Sequence, residues 1–171
     1  VVALLPQGSN DLNVALPVQT AGLVGIGFLY LETQHRRMTE ILLSQVDGII
    51  VIAEEEIVNE GYRLGAGIGL GLVNLGKGDN LPGVNMLERL LYMCTSQKDI
   101  ESYRSIEQAA SGALIALTLI YVKSMNKTIA RKLKLPKTEQ LLDYMRPDLF
   151  FLRFVCKNII ISDKNRKKIK R

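Results

Sequence analysis

The chain of 171 residues is long enough for one domain with a sizeable core. Hydrophobic residues make up 47% but aromatics only 6%, with no Trp, so core volume must come from Leu, Ile, Val and Ala, which favours helix packing over an aromatic-rich sandwich. The net charge of +5 sits entirely in Ile161–Arg171, where Lys164, Arg166, Lys167, Lys168, Lys170 and Arg171 outweigh Asp163; the neutral body lacks the overall basic bias that nucleic-acid binding needs.

The chain starts at Val1 without a Met and is expected to be a piece of something longer. Pro6, Gly8 and Asn10 break the first apolar run, so no signal peptide is read there. A buried helix is predicted near 18–33, opened by Pro17 in its first turn. An amphipathic outer helix follows near 35–46, with Met38, Ile41, Leu42 and Gln45 on one stripe. "GIIVI" (Gly48–Ile52) is β-branched and reads as a short strand in an insertion. A second buried helix is expected near 62–76, ended by Gly76 and Gly78 in left-handed caps. Its outer partner is "NMLERLLYM", near 85–93, and the polar residues 96–101 read as a loop. "SIEQ" (Ser105–Gln108) is a capping-box pattern that opens a third buried helix near 106–123. An outer helix near 126–135 follows. A further helix is predicted near 147–161, with Pro147 at its first position and Asp148 at the positive end of its dipole. Residues 162–171 form a basic tail or linker, so the packed segment is 1–161.

The three buried segments repeat. "AGLVGIGFLYLE" (Ala21–Glu32), "GAGIGLGLVNLG" (Gly65–Gly76) and "GALIALTLIYVK" (Gly112–Lys123) align at offsets of 44 and 47 residues, within the range of helical-repeat arrays. Ala21, Gly65 and Gly112 share one small column; Gly22, Ala66 and Ala113 a second; Gly25, Gly69 and Ala116 a third. Members of the first and third columns are four residues apart, about one helical turn, so each pair shares a face. A small-xxx-small face lets a neighbouring helix approach backbone to backbone. Glycine inside a helix costs about 1 kcal/mol against alanine, and close packing is what offsets that cost. These nine residues are therefore the expected helix-packing positions. Gly67 and Gly71 lie off the pair, with Gly27 matching only Gly71. The remaining positions are apolar nearly all round, as in a helix buried on every side. The expected unit is a buried small-residue helix, a tight turn and an amphipathic outer helix.

The same residues match no catalytic or ligand-binding motif. G-x-G-x-x-G fails from Gly25, Gly65 and Gly67, whose sixth positions are Tyr30, Leu70 and Leu72. Gly71 reaches Gly76-Lys77, but Gly78 stands where a phosphate loop needs Ser or Thr. His35 is the one histidine, set in a turn beside Arg36 and Arg37, so no His–His metal pair exists. Cys94 and Cys156 lie far apart with no CxxC. Glu54-Glu55-Glu56 reads as a solvated loop. The charge-free runs Leu64–Gly76 and Ala109–Val122 fall short of the ~20 residues a spanning helix needs. No catalytic residue, metal site, cofactor, small-molecule ligand, nucleic acid or membrane is expected.

Tandem helical pairs with glycine- and alanine-rich inner helices resemble the proteasome/cyclosome repeat. That repeat occurs in the two large non-ATPase scaffold subunits of the proteasome regulatory particle and in the largest-subunit family of the anaphase-promoting complex. Three stretches resemble the latter in particular: "LLPQGSNDLNVALPVQTAGLVGIGFLYLETQHRRMTEILL" (Leu4–Leu43), "YRLGAGIGLGLVNLGKG" (Tyr62–Gly78) and "LLDYMRPDLFFLR" (Leu141–Arg153). The resemblance implies an all-α array of tandem helical hairpins, part of an α-α toroid or solenoid. It implies a non-catalytic scaffold of a multi-subunit ubiquitin ligase that controls mitotic progression. The implied partners are other subunits of that complex (scaffold, cullin/RING and Doc-domain subunits) and β-propeller coactivators, in nucleus and cytoplasm. A proteasome scaffold subunit, or a generic helical-repeat binding module, is the alternative.

Overall fold

A computed structural model describes residues 14–48, 51–52, 55–56, 60–83, 85–95, 100–139, 142 and 145–162. The basic tail from 163 onward, residues 1–13 and residues 96–99 lie outside the described residues. Seven helices are seen among them: α1 (Leu16–Leu29), α2 (Arg36–Asp47), α3 (Glu60–Val73), α4 (Met86–Thr95), α5 (Ile100–Ile120), α6 (Lys127–Lys132) and α7 (Pro147–Ile160). Two-residue strands β1 (Val51–Ile52) and β2 (Glu55–Glu56) pair antiparallel in the insertion between α2 and α3. The architecture is all-α.

The long helices α1, α3, α5 and α7 lie side by side in one layer, each packed on the next. The shorter α2, α4 and α6 form a second layer. Each outer helix packs chiefly on the inner helix that follows it in sequence: α2 on α3, α4 on α5, α6 on α7. α2 turns Met38, Thr39, Leu42, Leu43, Gln45 and Val46 inward and leaves Arg36, Arg37 and Glu40 exposed. Tyr62 of α3 donates from its hydroxyl to Gln45 Oε1 at 2.8 Å, tying the layers across the core.

Several element ends depart from the sequence expectation. The inner helices stop early, at Leu29, Val73 and Ile120 rather than near 33, 76 and 123, because the chain then enters a turn with left-handed residues. α5 begins at Ile100, so Ser105–Gln108 lie inside it rather than at its start; Ile100 and Glu101, expected in a loop, are helical. Capping-box spacing alone does not define a helix end when the residues before it also favour helix. α7 starts at Pro147, with Arg146 as its N-cap. It is not an appended helix but the fourth member of the inner layer, packed on α5.

Candidate functional site

The turn that leaves each inner helix holds the next inner helix by its carboxyl end. After α1, the N–H groups of Glu32 and Gln34 donate to the carbonyls of Leu72 and Val73 on α3, both at 3.0 Å. After α3, those of Gly76 and Gly78 donate to Leu119 and Ile120 on α5, at 3.0 and 3.1 Å. After α5, those of Lys123 and Met125 donate to Ile159 and Ile160 on α7, at 3.4 and 3.0 Å. The last carbonyls of a helix have no partner within it, and each turn satisfies one such orphan, at Val73, Ile120 and Ile160; Leu72, Leu119 and Ile159 accept the turn's other N–H beside one from Leu75, Val122 and Ser162 of their own segment. All six donors have positive φ, between 52° and 68°, which aims alternate N–H groups the same way: Glu32 60°, Gln34 53°, Gly76 68°, Gly78 59°, Lys123 52° and Met125 58°. Glu32, Gly76 and Lys123 stand 44 and 47 residues apart, the offsets of the apolar columns. The carbonyl pairs Leu119/Ile120 and Ile159/Ile160 place α7 in the same register at an offset of 40.

The small residues fit the helices together. A Cβ on Gly65 would stand 2.6 Å from Thr20 Cγ2, and one on Gly69 2.5 Å from Leu23 O, so this stripe of α3 lies against α1. A Cβ on Gly67 would collide with the Gly112 backbone, and one on Gly71 would lie 2.7 Å from Leu119 Cβ, so a second stripe lies against α5. Two residues turn about 200° around a helix, which is why alternate glycines serve opposite neighbours. Gly112 in turn admits the carbonyl of Arg63. Ala66, Ala113 and Ala116 are fully buried.

The expectation for α1 needs correction. Ala21 and Gly25 are exposed, Gly22 is half-buried, and a Cβ on Gly25 would meet nothing within 4 Å. The contact glycine of α1 is Gly27, where a Cβ would stand 2.6 Å from Gly69 Cα. α1 is also not buried on every side: Val18, Phe28 and Leu29 are 52%, 64% and 69% exposed. The columns align, but the face that Ala21 and Gly25 occupy points away from α3. Gly67 and Gly71 were missed as contacts, although two small stripes two residues apart, in a helix with a neighbour on each side, are the signal for them.

Polar groups complete the joints. Asn74, fully buried, donates to Thr39 Oγ1 at 3.1 Å and to Leu70 O at 3.0 Å. Tyr121 donates to Asp79 Oδ1 at 2.6 Å; burial and Asp79 both push its phenol pKa up. Arg146 spans the amino ends of α3 and α7, donating to Glu60 Oε2 at 3.1 Å and Asp148 Oδ1 at 3.1 Å. Its guanidinium holds the Asp148 carboxyl below the usual range. Arg63 donates to Gly48 O at 3.0 Å, and Arg153 to the carbonyl of Cys94; burial lowers both guanidinium pKa values.

His35 caps α2, its Nδ1 accepting from Met38 N at 3.4 Å, with its ring edge-on to Tyr30 at 4.9 Å. Cys94 and Cys156 are buried free thiols, and burial pushes both pKa values up, away from the thiolate that a nucleophile requires. A cleft of about 520 Å³ is lined by residues that include Asp47, Arg63, Glu88, Arg89 and Tyr92. Arg89 donates to Asp47 there at 2.8 Å. Among the described residues, no group of three His, Cys, Asp or Glu side chains is placed to hold a metal ion, and no helix is long and apolar enough to cross a membrane.

Residues 1–169 match the family model described as the APC1 fifth domain. The chain belongs to the APC1 fifth-domain family. Anaphase-promoting complex subunit 1 of Schizosaccharomyces pombe is 44% identical over 95% of the chain, and that of Homo sapiens 35% over 95%. A protein of Emericella nidulans named negative regulator of mitosis is 41% identical over 96%. The APC1 fifth-domain chain spans 11%, 10% and 8% of these relatives' own lengths, respectively.

Proposed function

We propose that the chain is a non-catalytic scaffold region of the first subunit of the anaphase-promoting complex, a multi-subunit ubiquitin ligase that controls mitotic progression. Its role is to hold a rigid array of helical hairpins. Other scaffold subunits, the cullin/RING module, the Doc-domain subunit and β-propeller coactivators assemble around it, in nucleus and cytoplasm. The observation that carries this reading is the interleaving of α1, α3 and α5: the glycines that resemble a phosphate loop are filled by neighbouring backbone, at Gly69 by Leu23 and at Gly67 by Gly112. The raised thiol pKa values and the capping role of His35 also support a structural part.

Affinity purification of the full-length protein from mitotic cells, with mass spectrometry, tests the reading. The cullin and RING subunits are expected to co-purify. Recovery of AAA-ATPases without them overturns the reading in favour of a proteasome scaffold.

A further inference from the structure

The body of the chain is neutral in sum but not in place. Residues 121–139 hold six cations, Lys123, Lys127, Arg131, Lys132, Lys134 and Lys137, against the single acid Glu139. The other residues before 161 hold ten Lys and Arg against fifteen Asp and Glu. All six cations are exposed, and none makes an ion pair among the described residues. The other outer helices mix signs. Arg36 pairs with Glu40 on α2, and α4 carries Glu88 beside Arg89, which reaches Asp47.

α6 displays its cations from a fixed seat. Asn126 Oδ1 accepts the N–H groups of Thr128 and Ile129, both at 3.1 Å. Ile129, Ala130 and Leu133 are buried, and α6 packs on α7. Helical geometry puts Lys127, Arg131 and Lys132 on the opposite face. The N–H groups of Lys123 and Met125 bond to the carbonyls of Ile159 and Ile160, which brings Met125 and Ile159, 44% and 37% exposed, to the same edge as Lys123. Stability does not account for the arrangement. Arg131 and Lys132 suit the negative carboxyl end of a helix, but Lys127 stands at the positive end, and Lys127 and Arg131 repel one turn apart. Nor is this face a joint between repeats, since each outer helix packs chiefly inward on an inner helix.

We infer that the α6 face is a docking surface for an extended, acid-rich peptide segment of another subunit. Its carboxylates meet the Lys and Arg side chains, and an apolar side chain meets Met125 and Ile159. That the segment belongs to another subunit rests on the complex-level reading above. That it is a peptide follows from the side chains. Five of the six cations are Lys, a point charge without the planar fork that suits phosphate and base edges. Tyr121, the one aromatic residue of 121–139, is buried, so no ring is offered for a base to stack on. Met125 and Ile159 make a patch far smaller than the apolar face with which a helix lies in a membrane surface.

The test is carbodiimide coupling, which joins a Lys amine to a carboxylate in direct contact, on the assembled complex purified through the full-length protein. Mass spectrometry should map Lys123, Lys127, Lys134 or Lys137 to an Asp- and Glu-rich stretch of another subunit. Coupling only within this polypeptide, or none, overturns the inference. The second arm is the triple reversal Lys127→Glu, Arg131→Glu and Lys134→Glu in the full-length protein, with amide exchange across the inner helices expected at the parent rate because all three side chains are exposed. A fluorescent polyglutamate peptide should bind the parent more weakly as salt rises, and the variant at least about tenfold more weakly than the parent. No binding, equal binding by the two proteins, or a reversal that spares the peptide while releasing single-stranded RNA or phosphatidylserine vesicles overturns the inference. Failure of the cullin and RING subunits to co-purify would instead sink the complex-level reading, and coupling to an acid-rich stretch of a retained protein would leave the docking surface standing.

Discussion

α1 and α3 carry the same columns and live in different surroundings. α3 has a helix on each flank, and small stripes on both are filled: Gly65 and Gly69 by α1, Gly67 and Gly71 by α5. α1 has one such neighbour, so Gly27 is filled while Gly25 stands open. A small-residue column therefore reports which flank is built for a neighbour, and not that the neighbour is present. The stability contribution of such a residue belongs to the joint between repeats, as expected for arrays whose energetics are sums of repeat and interface terms.

Breaking the interior joint should have the largest effect. Gly67→Leu drives a branched side chain into the Gly112 backbone, and about 3 kcal/mol or more of opening free energy should be lost across α3 and α5. Gly69→Leu should behave alike against Leu23. Native-state hydrogen exchange measures this locally, which suits an array that need not unfold in one step. An opening free energy within error of the parent would refute the backbone contact.

The sharpest contrast within one helix is Gly27→Ala against Gly25→Ala in the 171-residue chain. Gly27→Ala should cost about 1–3 kcal/mol by overpacking against Gly69. Gly25→Ala should gain about 0.5–1 kcal/mol, because the added methyl meets open space and alanine is the better helix former. Urea midpoints that move the same way would erase the distinction between the two flanks.

A smaller change tests the turns. Gly76 sits at φ 68°, where an L side chain costs roughly 1–2 kcal/mol, so Gly76→Ala should lower stability by about that much. Arg36→Glu should do least, within about 0.5 kcal/mol, since its pair with Glu40 is 72% and 50% exposed. If it destabilises as much as Gly67→Leu, the division into inner and outer layers is wrong.

The inner helices were legible because glycine and alanine columns survive translation by 44 and 47 residues. The fourth inner helix was not placed in that layer, because α7 fills the same columns with Leu152 and Cys156 and shows no small stripe. The turns were half legible. Gly76 and Gly78 announce left-handed backbone, whereas Glu32, Gln34, Lys123 and Met125 adopt it without any residue preference for it. Tertiary hydrogen bonds to the next helix impose that conformation, and no local pattern encodes them. The exposure of Ala21 and Gly25 was equally hidden, since periodicity identifies a face and the neighbour decides its burial.

The central claim is that each turn is locked to the next inner helix by two backbone hydrogen bonds. Amide exchange at Gln34, Gly78 and Met125 tests it most directly. Their N–H groups, bonded to Val73, Ile120 and Ile160, should exchange as slowly as the interior amides of α3 and α5. Exchange at the rate of an exposed loop, with the helices still protected, would contradict it.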